Sequence, residues 1–156
     1  MISVIQYLAL LTVAVLVGKV VLLSFVVAPI LAKTLEREAF GAVVRRLFPA
    51  YYALGMAAAA MGIVSVLLLG IVHETNAMRY LAAGIWLAVL AAETYCRSPL
   101  IPRSNAMRDR LKEQESQGTV DPLLERAWNR LHRRSVYLNS LVLLAGLCLL
   151  GLVQRW

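Results

Sequence analysis

ISVIQYLALLTVAVLVGKVVLLSFVVAPILA, residues 2–32, carries a single charged side chain, Lys19. An α-helix needs about 20 apolar residues to cross about 30 Å of hydrocarbon, so this stretch identifies the solvent as lipid. Residues 51–72 and 136–153 have the same character. A shorter run, Tyr80–Tyr95, contains Glu93 and joins smoothly onto its flanks. Unbroken Leu, Val and Ala runs exclude the short alternating strands of a β-barrel. The sequence therefore predicts an all-α integral membrane four-helix bundle. It forms one transmembrane domain over residues 1–156, with spans near 4–32, 51–72, 79–97 and 135–154.

Composition agrees, with 60% hydrophobic residues and a mean hydropathy of +0.70. The opening MISVIQYLALL has no basic leader, and its apolar run outlasts a signal peptide's core, so the first helix reads as a retained anchor. The net charge of +7 is unevenly placed. Four basic residues fall between spans one and two and nine between spans three and four, whereas the loop between spans two and three holds only Arg79. The positive-inside rule puts the two basic loops in the cytoplasm and both termini outside, in a cytoplasmic (inner) membrane. The expected partner of this charge is the anionic lipid headgroup rather than nucleic acid. Cys96 and Cys148 fall at different depths, too far apart for a disulfide or a shared metal.

A first helix of about 46 Å exceeds the bilayer, so tilt or a break at Pro29 is expected. Next, LEREAFGAVVRRLFP, residues 35–49, places Leu35, Phe40, Val43, Val44 and Leu47 on one face. That pattern predicts a short interfacial helix ended by Pro49, with Tyr51 and Tyr52 in an aromatic belt. Gly55, Ala59 and Gly62 in span two and Gly84, Ala88 and Ala92 in span three are small residues at helical spacing. They predict close packing of those two spans. Pro99 and Pro102 should stop the third helix. Beyond them a charged cytoplasmic helical hairpin is expected, turning at QGTVDP, with Asp121 as N-cap and Pro122 at the first helical position.

Six polar residues are candidate site residues. Lys19 is isolated among apolar neighbours, and an intramembrane lysine faces a protein interior, a water cavity or the interface. It reads either as a binding or proton-coupling group or as a snorkelling side chain. Glu93 lies one turn before Arg97, so it pairs either with that arginine or, across helices, with Lys19. His132, Ser135 and Asn139 line one helix face entering span four, and such a stripe must meet protein or water. Together they outline a cytoplasm-facing polar cavity or, more simply, an interhelical hydrogen-bond network. A bis-histidine haem site fails because His73 and His132 fall on opposite sides of the membrane. No zinc motif, catalytic triad or phosphate-binding loop is present. No metal or cofactor is expected, and the residues lean away from an enzyme without deciding the question.

GKVVLLSFVVAPILAKTLEREAFGAVVRRLFPAYY, residues 18–52, resembles the signature of the transmembrane protein 205-like family, with Pro29, Phe40, Gly41, Phe48, Pro49 and Tyr51 in register. The resemblance continues through Pro99 and Arg108 in SPLIPRSNAMRDR and through His132, Ser135 and Asn139 in the last helix. It implies four spans and a loose association with resistance to toxic compounds, and it supplies no catalytic residues. More distantly, the layout is similar to copper-resistance and haem-synthesis membrane proteins. Three functions follow as expectations. The first is binding or passage of a small solute, lipid or toxic compound through the polar cavity. The second is a resistance protein acting through a membrane protein partner or a homodimer. The third is a haem-linked oxidoreductase.

Overall fold

The computed structural model describes residues 2–72 and 76–153, and every element among them is helical. Helix α1 (Ile2–Val21) passes through a π-helical turn, Leu22–Val27, into α2 (Ala28–Thr34). Then come α3 (Arg37–Val72) and α4 (Ala77–Tyr95). A second π turn, Cys96–Leu100, leads into α5 (Ile101–Ser116), and α6 (Pro122–Val153) follows. Among the described residues three helices are long and apolar enough to cross a membrane: Ile2–Thr34, Arg37–Ile71 and Pro122–Val153. The expected third span falls on α4, which carries Arg79 and Glu93 and is not among those three.

The proline expectations need correction. Pro49 does not end a separate interfacial helix, because residues 37–48 are the first turns of α3 itself. A proline forfeits one backbone hydrogen bond and crowds the preceding turn. Here aromatic packing holds the chain helical through it. Phe48 stacks on Tyr52 at 5.9 Å, and Tyr51 meets Tyr52 edge-on at 5.0 Å. Pro99 and Pro102 do not stop the chain either. The wider π turn contains Pro99 and relieves its crowding, and Pro102 sits in the first turn of α5. The π turn before Pro29 does the same, so the first apolar helix continues to Thr34.

A turn at residues 117–121 joins α5 to α6. Gly118, at φ +71°, supplies the left-handed residue that ends α5, and the Thr119 N–H reaches back to the Gln114 carbonyl at 3.1 Å. The Asp121 carboxylate then accepts the Leu123 N–H at 2.8 Å and starts α6 at Pro122.

Helix α1 packs on α3 and α6, and α4 packs on the same two helices from the far side. Val13, Leu16, Val20, Ala59, Trp86, Val89, Val142 and Leu149 fill the centre. Phe25, Leu67, Ile71, Leu87 and Leu144 point outward, a surface suited to lipid. Gly55, Ala59 and Gly62 are buried on α3 as expected of a packing stripe, and a side chain at Gly62 would collide with Trp86. The α4 stripe turns the other way. Gly84 and Ala88 are exposed, Ala92 is half-buried, and nothing lies within 4 Å of a Cβ built at Gly84. The inward face of α4 is instead Ala82, Trp86, Val89 and Glu93, so a large side chain fills the space that Gly62 leaves open.

Candidate functional site

Lys19 and Glu93 meet in the interior. Lys19 Nζ donates to Glu93 Oε1 at 2.6 Å, and the two residues are 8% and 1% exposed. Two features admit the pair. Gly55 presents no side chain where a Cβ would strike both ends of it. The Tyr51 ring faces the ammonium, with Nζ 3.9 Å from its centroid, which adds a cation–π attraction at a buried position. Glu93 Oε2 has no hydrogen-bond partner among the described residues. The interhelical alternative is therefore the one the structure adopts, in place of an in-helix Glu93–Arg97 pair. Arg97 is exposed on the π turn.

One layer away, α3 and α6 share a polar network. The Tyr51 hydroxyl donates to Asn139 Oδ1 at 3.0 Å, and Asn139 Nδ2 donates to the Tyr52 hydroxyl at 3.2 Å. The Tyr52 hydroxyl and Ser135 Oγ lie 3.1 Å apart. The stripe of Ser135 and Asn139 thus finds protein partners, as a polar face on an apolar helix requires. Those partners were not anticipated. Tyr51 and Tyr52 are 7% and 2% exposed, inside the bundle rather than in an interfacial belt. The available signal was an adjacent Tyr–Tyr pair one turn before a glycine, on the helix that must satisfy the stripe. His132 stands outside the network and stacks on Trp128 at 5.6 Å.

Beside this network lies a groove of about 480 Å³. Its walls are apolar, built by Leu23 and Phe25 of the first π turn, Phe40 and Val44 of α3, Leu100, and Leu143 of α6. Tyr52, Arg108, Trp128, His132, Ser135 and Asn139 supply most of its polar atoms. The six candidate residues therefore divide. His132, Ser135 and Asn139 line the groove, Lys19 and Glu93 lie behind the tyrosines, and Arg97 lines neither site.

Arg108 was marked only by the family resemblance, yet it is the cation of this groove. Its guanidinium donates to the Gly41 carbonyl at 3.2 Å, and Gly41 is buried beneath it. A Cβ at Gly41 would sit 3.0 Å from Arg108 Nη1, so glycine leaves room for the guanidinium against α3. Burial first, and Arg45 second, pull the Arg108 pKa below its ordinary value, though arginine stays charged in proteins. Three cations on the two helices are paired, Arg37 with Glu115, Arg45 with Asp109 and Lys112 with Glu38, whereas Arg46, Arg103 and Arg110 are exposed. Among the described residues no carboxylate forms an ion pair with Arg108.

Cys96 and Cys148 are free thiols, the first buried and the second exposed. No group of three or more His, Cys, Asp or Glu that could hold a metal occurs among the described residues. His73, part of the haem argument, lies outside them, as does Gln154 at the end of the expected fourth span.

A family model described as "Domain of unknown function (DUF4149)" matches residues 11–112. The match takes in Lys19, Gly41, Gly55, Glu93 and Arg108, and it ends before α6 and its Ser135 and Asn139. No curated protein and no solved structure matches the chain.

Proposed function

The chain belongs to the DUF4149 family, whose function is unknown, and we propose that it is a four-span membrane protein that binds a small amphiphile in the groove beside Tyr52. In this reading α4 is the additional span, the α5–α6 hairpin lies in the cytoplasm and both termini face outward, as the basic loops imply. The groove's build is the observation that carries the reading. Its volume of about 480 Å³ falls within the roughly 300–1,000 Å³ range of ligand pockets. Mostly apolar walls converge on a few polar groups, the arrangement that suits a molecule with an apolar body and a hydrogen-bonding head. Lys19 and Glu93 then act from behind, fixing α1 and α4 so that the tyrosines present their hydroxyls to α6. The resemblance to the transmembrane protein 205-like family favours a resistance-type setting, in which a toxic amphiphile is taken from the bilayer.

Native mass spectrometry of protein released gently from its membrane tests this reading. One non-covalent adduct per chain is expected. It should vanish in Val44→Trp, which fills the groove from α3, while Val43→Trp, on the exposed side, should keep it. Equal thermal midpoints for the two variants establish that both are folded. Bare wild-type protein, or an adduct retained by a folded Val44→Trp, contradicts the reading.

A further inference from the structure

We propose that the groove is a site for a phospholipid with an anionic headgroup, with Arg108 as the headgroup anchor and the apolar walls holding an acyl chain. The inference rests on the amphiphile reading above and names the class of ligand.

Charge is the first argument. Arg37, Arg45 and Lys112 are each held by a carboxylate, whereas Arg108 lines the groove and, among the described residues, bonds to the Gly41 carbonyl and forms no ion pair. Among the described residues no Asp or Glu lines the groove. A guanidinium left half-buried beside apolar walls favours an anion, and its five N–H donors suit the oxygens of a phosphate. Ser104 and Asn105, one turn earlier on α5, line the same end and add hydrogen-bonding groups. His132 and Trp128 close it from α6.

Length is the second argument. The groove-lining residues of α6 run from Trp128 to Leu143. At 1.5 Å per residue that is roughly 22 Å, and half of a bilayer with its headgroup regions is about 20–22 Å. The charged end lies at Arg108 and Trp128, and the other end, at Leu23 and Leu143, carries no charge and has the Ser24 and Ser140 hydroxyls among its nearby lining groups. A free inorganic anion would leave those walls unused, and a headless hydrocarbon would leave the arginine without a counter-charge. A single leaflet lipid satisfies both ends. Basic pockets between membrane helices take anionic headgroups for the same reason.

The test uses the 156-residue chain in nanodiscs of unlabelled phosphatidylcholine, doped with phospholipid brominated on the acyl carbons nearest the headgroup, which the proposal places beside Trp128. Bromine quenches tryptophan on contact, and the part of the quenching lost in Trp128→Phe reports the groove. At equal mole fraction, brominated phosphatidylglycerol should quench Trp128 several-fold more effectively than brominated phosphatidylcholine. Arg108→Gln should abolish that preference, Arg108→Lys should retain most of it, and Arg37→Gln should leave it unchanged. The lysine variant keeps the test valid if loss of the Gly41 contact weakens the glutamine variant. Equal quenching by the two lipids in the wild type, or an undiminished preference in folded Arg108→Gln, overturns the anionic-lipid proposal and leaves the amphiphile reading standing. No Trp128-dependent quenching by either lipid overturns both.

Discussion

Lys19 Nζ and Glu93 Oε1 lie 2.6 Å apart although α1 and α4, which carry them, do not pack on one another. The pair crosses the middle of the molecule over Gly55, joining two helices that α3 and α6 otherwise hold apart. Removing one member strands a buried charge, whereas removing both leaves an apolar core. Lys19→Met and Glu93→Leu should each destabilise by about 3 kcal/mol, with the double variant much closer to wild type. Unfolding in detergent micelles reads this directly. Additive losses would show that the two charges act independently.

Gly55 should tolerate no side chain. Both groups that a Cβ would strike are pinned to each other, so neither can swing aside. Gly55→Ala should cost about 1–3 kcal/mol. Gly84→Ala, in open space on the outer face of α4, should be neutral or gain up to about 1 kcal/mol from helix propensity. A reversal of that order in thermal midpoints would mean that α4 presents its other face inward.

The Tyr51–Asn139–Tyr52 network predicts unequal costs for its members. Asn139→Ala deprives both tyrosine hydroxyls of a partner and should cost about 1–3 kcal/mol. Tyr52→Phe removes one hydroxyl and leaves Asn139 bonded to Tyr51, so about 1 kcal/mol is expected. Equal effects of the two changes would argue against a shared network.

If α4 is the additional span, its two ends lie on opposite faces of the membrane. With Cys96 and Cys148 replaced by serine, a cysteine at exposed Asn76 should react with an impermeant maleimide from outside. A cysteine at exposed Gln117, at the α5–α6 turn, should react only after the membrane is opened. Labelling of both from one side would remove α4 from the membrane.

The helices were legible in the sequence because long apolar runs have few alternatives in lipid, and the α5–α6 turn was legible because Asp121, Pro122 and Gly118 each require it. The rotation of each helix was not. In lipid the inner and outer faces are both apolar, so LAAGIWLAVLAA in α4 offers no periodic contrast between Ala88 outside and Val89 inside. Lys19 and Glu93 were legible only as alternatives, a cross-helix pair against an in-helix Glu93–Arg97 pair, because the sequence does not set the depth of the first span. Tyr51 and Tyr52 did not, since a tyrosine suits a membrane interface as well as a buried hydrogen bond. Pro99 misled for a third reason: a π turn absorbs a proline without ending the helix, and nothing in the residues beside it announces the turn. Arg108 resembled any basic loop residue until α5 was seen lying against Gly41.

The most direct measurement of the central claim is photolabelling. The protein, in native-like bilayers, is illuminated with a phospholipid bearing a diazirine along its acyl chain, and the labelled residues are mapped by mass spectrometry. The groove account predicts saturable labelling concentrated on Phe40, Val44, Leu100 and Leu143, and its loss in Val44→Trp. Labelling spread evenly over outward residues such as Leu67, Leu87 and Leu144, with the groove residues unmarked, would contradict it.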